Sequence, residues 1–181
     1  MTRFGIFGGS FNPPHLGHQV LMLLALESKE IDKVLMIPTY KHAFDKGLAP
    51  FADRMKMCEA AASVFGERVE VSSVESTLEG KSRTLHTLEH LKAQGFSEMR
   101  LLIGADILGE THLWHKWDEV IALAPALVFK REGHEGGELL APPDISSSEI
   151  RNEIAKGSLP KGLVSQAVLS YIQEKDLYKT T

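Results

Sequence analysis

The residues with the clearest chemical potential stand near the start of the chain. His15 and His18 flank Leu16 and Gly17, directly behind Gly8, Gly9, Ser10, Asn12, Pro13 and Pro14. An apolar run, Phe4 to Phe7, leads into the glycines, and a segment of helical composition, Val20 to Leu26, follows the histidines. The order is therefore strand, tight loop, helix. That arrangement gathers free backbone N–H groups and the positive end of a helix at one point, which suits an anion and phosphate above all. Two imidazoles at the mouth of the helix can donate hydrogen bonds to a phosphate whose charge changes during transfer. Gly17 leaves room between them. The loop is neither a G-x-G-x-x-G fingerprint, since its glycines fall at 5, 8 and 9, nor a Walker A loop, since Gly-Lys-Ser/Thr is missing. Zinc binding by the pair finds no carboxylate or thiol close by in sequence.

A second constellation lies far down the chain, at Ile145-Ser146-Ser147-Ser148-Glu149-Ile150-Arg151. Serine hydroxyls and free N–H groups at a helix start form another anion seat. Arg151, on the first turn, has the fork geometry for bidentate phosphate contact. Taken alone, the Ser-x-x-Glu spacing reads equally well as a helix cap. A third pattern, His86-Thr-Leu-Glu89-His90, matches H-x-x-E-H, the inverted zinc-peptidase signature, with both histidines on one helix face.

Elements must position these groups. Lys33 to Pro38 reads as a buried strand at βαβ spacing from the first, which implies a parallel pair with a right-handed crossover. Phe51 to Phe65 has helical periodicity, and Val69 to Val74 is a β-rich run. Ser82 is placed to cap a helix from Thr84 to Gln94, which Gly95 ends. Met99 to Ile103 is a strand that runs into Gly104-Ala105-Asp106, where a parallel strand meets its ligand crevice. Thr111 to Ala124, with Trp114 and Trp117, is helical; Ala126 to Lys130 is a strand; 132–143 is a loop. Helices from about Ser148 to Lys156 and from Gly162 or Leu163 to about Lys175 follow. The alternation predicts an α/β fold: a single Rossmann-like domain over 1–181, with an open, mostly parallel sheet and helices on both faces.

The chain has 181 residues, 43% hydrophobic and 24% charged, with a formal net charge of −4. That balance argues against a nucleic-acid binder. The one cysteine, Cys58, excludes an internal disulfide framework and reads as a small buried apolar residue. No apolar run approaches a membrane span and nothing resembles a signal peptide, so the expectation is a cytoplasmic protein without a membrane partner. A homo-oligomer is left open.

The two end motifs together resemble the paired signatures of the nucleotidylyltransferase superfamily, whose members transfer AMP or CMP from a nucleoside triphosphate. Two middle segments are similar to bacterial nicotinate-mononucleotide adenylyltransferases: Ile103-Gly-Ala-Asp-Ile-Leu108 with Trp114 and Val128-Phe-Lys-Arg-Glu-Gly133, and Pro50-Phe-Ala-Asp-Arg-Met55 behind the loop with Lys41 and His42. The resemblance implies that His15 and His18 contact ATP phosphates, with Ser10 and the Gly8-Gly9 backbone lining the same seat. It implies that Ser146, Ser147, Ser148 and Arg151 hold the β- and γ-phosphates, and that Gly104 and Asp106 bind ribose hydroxyls. Trp114 would stack near a pyridine ring, and either Lys41 or His42 would assist with phosphates. Mg²⁺ would bridge the ATP phosphates with few or no protein ligands.

The chemistry so implied is transfer of AMP from ATP to the 5′-phosphate of nicotinate mononucleotide, giving deamido-NAD and pyrophosphate. The attacking phosphate is already largely ionised at neutral pH and needs no general base. Alignment and charge neutralisation carry the rate. One segment departs from the family pattern. Ser82-Arg-Thr-Leu-His-Thr-Leu88 stands where the family usually has Ser-Tyr-Thr-Ile-Asp-Thr-Leu, so Arg83 and His86 replace an aromatic residue and an aspartate while Thr84 and Thr87 remain. In the family this segment lies beside the acceptor. The alternatives are transfer of AMP or CMP to another phosphorylated acceptor, or a nucleotide-binding relative without catalysis.

Overall fold

The computed structural model describes residues 1–41, 47–78, 80 and 83–179. Five strands form one parallel sheet: β1 (Arg3–Gly9), β2 (Lys33–Pro38), β3 (Val69–Val71), β4 (Glu98–Gly104) and β5 (Ala126–Phe129), in the spatial order β3-β2-β1-β4-β5. Register is set by apolar side chains of matching face: Ile6 pairs with Leu35 on one side and Leu101 on the other, and Phe7 pairs with Met36. The helices are α1 (Leu16–Glu27), α2 (Phe51–Ala62), α3 (Thr84–Ala93), α4 (Trp117–Leu123), α5 (Ser147–Ala155) and α6 (Gln166–Glu174).

The period-two alternation of the strands divides the core. Phe7, Val34, Met36, Leu102 and Phe129 face one way and pack on Leu21 and Met22 of α1 and Cys58 and Ala62 of α2. Ile6, Leu35, Ile37, Leu101 and Ile103 face the other way, against Leu85, Leu88 and Leu91 of α3 and Val120 of α4. This is the two-faced α/β architecture expected from the sequence. A third cluster joins Met57 and Ala61 of α2 to Ile150 and Ile154 of α5 and Val168, Leu169 and Ile172 of α6. The order reverses between β1 and β4, so their carboxyl ends, Gly9 and Gly104, flank the switch point where such sheets open a crevice.

Local details differ from the sequence expectations. The helix expected to Phe65 stops at Ala62 and gives way to 3-10 turns over Ser63–Arg68, where Gly66 takes a φ of 57°. The β-rich run forms a strand only over Val69–Val71, after which Val74–Thr77 coils into a 3-10 turn. Trp114 lies outside the helices: 3-10 turns span Ala105–Leu113, and α4 begins at Trp117 behind Lys116, whose φ is 55°. The N-cap of α3 is Arg83, in extended conformation and without a side-chain cap, and not Ser82, which lies outside the described residues. No helix among the described residues is long and apolar enough to cross a membrane. Cys58 is buried and unpaired, and burial pushes its thiol pKa up.

Candidate active site

His15 is the N-cap of α1, in extended conformation, and is 8% exposed. Its backbone N–H donates to His18 Nδ1 at 3.1 Å, and the two rings stack with centroids 3.6 Å apart. That bond consumes Nδ1 of His18 as an acceptor, so the neutral ring carries its proton on Nε2. Burial is the main cause that lowers the pKa of both imidazoles, His15 to about 4 and His18 well below its ordinary value. For His18 the neighbouring His15 adds to the effect, and for both the charge of Arg131 contributes. Both are neutral donors at pH 7, and an approaching polyphosphate would draw them toward protonation. Nδ1 of His15 is buried with no hydrogen-bond partner among the described residues.

Gly17 is required by close approach. A Cβ there would stand 2.9 Å from the Pro143 carbonyl oxygen and 3.0 Å from His15 Nδ1. The segment 141–145 therefore passes directly over the helix start, and it delivers the serine run to the same place. Phe11 takes a left-handed φ of 44°, a conformation that costs about 1 kcal/mol for a residue with a side chain. It is held by edge-on packing against Phe7 and His18, at 5.2 and 5.0 Å.

The second motif grips the first. Ser146 caps α5 by accepting from the Ser148 N–H at 3.2 Å. Ser147 donates its hydroxyl to the Pro13 carbonyl at 2.8 Å. Arg151 donates to the Asn12 carbonyl at 2.7 Å and to the Ser148 hydroxyl at 3.1 Å. Asn12 is 3% exposed, and its Oδ1 accepts from the Ala49 N–H and the Tyr178 hydroxyl. Arg54, 2% exposed, donates to the carbonyls of Ala49 and Ser10 at 3.0 and 2.9 Å. Sequence reading passed over Arg54 and Tyr178 as site-building residues. A charged residue in an otherwise apolar helix face is the signal that could have found Arg54.

Two cavities open at the carboxyl ends of the strands. The smaller, about 190 Å³, is lined by His15, His18, Lys130, Arg131 and the segment 141–145. The larger, about 380 Å³, is lined by Gly8, Gly9, Ser10, Thr84, Thr87 and Trp114, among others. The structure thus separates the glycine pair and Ser10 from the histidines. They sit at the end of β1, with the acceptor candidates Thr84 and Trp114 on their cavity. Gly104 lies at the end of β4 with Asp106 folded over it so closely that a Cβ would strike Asp106 Oδ1. Asp106 pairs with Arg131 at 3.8 Å. Trp114 meets Trp117 edge-on at 5.4 Å, and both pack against the core face that holds Val120.

Arg83 is exposed at the start of α3, next to Thr84. Lys41 is exposed, with its ammonium 5.7 Å from the Tyr40 ring centroid; His42 lies outside the described residues. The zinc-peptidase pattern does not assemble. His90 Nε2 lies 3.0 Å from Gln94 Nε2, the His86 ring turns to His115 at 6.2 Å, and the described residues hold no cluster of three or more His, Cys, Asp or Glu suited to a metal.

Comparison with known proteins agrees with this geometry. Residues 6–153 match the cytidylyltransferase-like family model. A relative from Anaeromyxobacter dehalogenans, named as a probable nicotinate-nucleotide adenylyltransferase, is 43% identical over 98% of this chain and 97% of its own length. One of the same name from Myxococcus xanthus is 32% identical over 98% of this chain and 95% of its own. Among solved structures, Plasmodium falciparum nicotinic acid mononucleotide adenylyltransferase complexed with NaAD superposes with a TM-score of 0.83 over 98% of both chains at 18% identity, which establishes a common fold. By its own residues and by these likenesses, the chain belongs to the nicotinate-nucleotide adenylyltransferase family, within the cytidylyltransferase-like proteins.

Proposed function

We propose that this chain transfers AMP from ATP to the 5′-phosphate of nicotinate mononucleotide, releasing pyrophosphate and deamido-NAD, as an enzyme of NAD biosynthesis in the cytoplasm. The observation that carries the reading is the closure of two phosphate motifs on each other. Arg151 and Ser147 hold the carbonyls of Asn12 and Pro13, immediately ahead of His15. A guanidinium, the start of α5 and the histidine pair are thereby tied to one loop, which supports their acting on one anion.

In this reading the smaller cavity receives the triphosphate. His18 donates from Nε2, His15 stacks on it, and the N–H groups at the starts of α1 and α5 face the anion. Asp106 and the Gly104 backbone take the ribose hydroxyls. The larger cavity receives the acceptor, with Trp114 against its ring and Thr84 near its edge. Mg²⁺ comes with the triphosphate, whose oxygens supply its ligands. The imidazole, ammonium and guanidinium groups of the cavity suit the phosphates, and the carboxylates of Glu132 and Asp144 share its lining. No side chain serves as nucleophile or base. The acceptor phosphate attacks the α-phosphorus in line, and the residues align two anions and offset their charge.

The purified protein with ATP, Mg²⁺ and nicotinate mononucleotide should release pyrophosphate and form the dinucleotide. No turnover with this acceptor, alongside turnover with another phosphate ester in the same assay, would sink the acceptor assignment while leaving the reaction class.

A further inference from the structure

Among the described residues that line the larger cavity there is no cation. The one charged side chain there is Glu75, whose carboxylate accepts the Tyr40 N–H at 3.0 Å. A negative group on the ring of a ligand seated in this cavity is therefore offset from outside the lining.

Such charge stands at the rim. Arg83 immediately precedes Thr84, and His115 immediately follows Trp114; Thr84 and Trp114 both line the cavity. α3 and α4 pack together, with Leu85, Leu88 and Val120 in one cluster, and the His86 and His115 rings lie 6.2 Å apart, centroid to centroid. The pKa of His115 is lowered, by desolvation first and then by the charges of Arg83 and Lys116 and by His86, while Glu119 opposes the shift. These side chains share one patch. Lys116 is offset by Glu119 at 3.0 Å, whereas Arg83 has no carboxylate within ion-pair distance among the described residues. Arg83 and His86 are also the positions that depart from the family pattern, an aromatic residue and an aspartate giving way to a cation and an imidazole. Both exchanges move the local charge in the positive direction.

We infer that Arg83 selects the acceptor by charge from the rim of the larger cavity. Its field, with an imidazole at His86 where an acid would oppose it, favours a ring that carries a carboxylate over the same mononucleotide carrying an amide. The selection acts through space, since Arg83 is exposed and is not part of the lining. It rests on a pyridine mononucleotide being the acceptor.

The test compares nicotinate and nicotinamide mononucleotides in pyrophosphate release with ATP and Mg²⁺. The two share ribose and phosphate, so the ratio of their kcat/KM values isolates the ring substituent; an amide that is not turned over is read as a competitive inhibitor of the acid. At low ionic strength Arg83→Gln should lower the preference for the acid about fivefold, the size expected for unit charges roughly 8 Å apart in a medium between protein and water. Arg83→Lys should keep most of the preference, because a field needs the charge and not the guanidinium fork. His86→Asp should lower it in the same direction. Raising the salt to about 0.5 M should shrink the gap between the unmodified protein and Arg83→Gln to less than about twofold. Circular dichroism melts check that each variant is folded. A preference unchanged in Arg83→Gln would overturn the inference and leave the proposed function standing. So would its loss in Arg83→Lys or a gap that persists at high salt, since either describes a directional contact. If the unmodified protein neither turned over nor bound either mononucleotide, the proposed function would fall, and this inference with it.

Discussion

Arg151 donates to the backbone carbonyl of Asn12 at 2.7 Å, across 139 residues of sequence. The bond sets the far motif against the near one, so the guanidinium braces the opening loop and, in the proposed function, also meets the triphosphate. Lysine keeps the charge but not the fork, so it cannot hold Asn12 and Ser148 and still face a phosphate. Arg151→Lys should lower kcat/KM by about 100-fold and stability by about 1–2 kcal/mol. Steady-state pyrophosphate release and urea unfolding read the two effects, and unchanged kinetics would remove Arg151 from the site.

The histidine pair sets a pH dependence of stability. A buried imidazole whose pKa falls from its unfolded value of about 6.5 to about 4 binds fewer protons folded than unfolded between those limits. Its contribution is complete above about pH 6.5 and is lost as pH falls through the window. His15 alone accounts for about 2–3 kcal/mol. The urea midpoint should drop between pH 7 and pH 4.5 in the unmodified protein and drop less in His15→Asn. Equal slopes would mean that His15 is not buried as a neutral ring.

Gly17 tests the crossing of the segment 141–145. A methyl group there meets a backbone carbonyl and the His15 ring at about the limit of contact. Gly17→Ala should cost about 1–3 kcal/mol of stability and raise the ATP KM, because the carbonyl of Pro143 can retreat only by moving the approach to Ser146. A variant of native stability and activity would show that this crossing is not tight in solution.

Trp114 and the histidines line separate cavities, so their substitutions should separate kinetically. Trp114→Ala should raise the KM for nicotinate mononucleotide about tenfold and leave the ATP KM within about twofold, as loss of an aromatic face from one subsite requires. His18→Ala should lower kcat by about 100-fold or more. If Trp114→Ala raised the ATP KM instead, the assignment of the two cavities would be reversed.

Tyr178, near the end of the chain, donates to Asn12 Oδ1 at 2.9 Å, and burial is the main cause that raises its phenol pKa. Tyr178→Phe should destabilise by about 1 kcal/mol, since Asn12 Oδ1 keeps its bond from Ala49. Thermal unfolding checks this; a loss near zero would show that the tail does not restrain the loop.

The alternation of apolar strands with helical segments determined the fold class from the sequence alone, because parallel strands buried on both faces need helices on both sides. The histidine pair, the serine run and Arg151 are candidates for phosphate chemistry by sequence because each occupies a helix start, a local property of a few neighbouring residues. Their meeting was not legible there. Arg151 reaches Asn12 because Ile150 and Ile154 of α5 pack with α6 on Met57 and Ala61 of α2, a cluster drawn from three distant segments. The division into two cavities, with Gly8 to Ser10 in one and the histidines in the other, was equally unreadable, since it depends on which face of the β1 end each residue takes. Arg54 and Tyr178 act through carbonyl oxygens remote in sequence. Local order can be read where the periodicity of one segment specifies it; long-range partners are chosen only when the sheet order and helix packing bring the segments together.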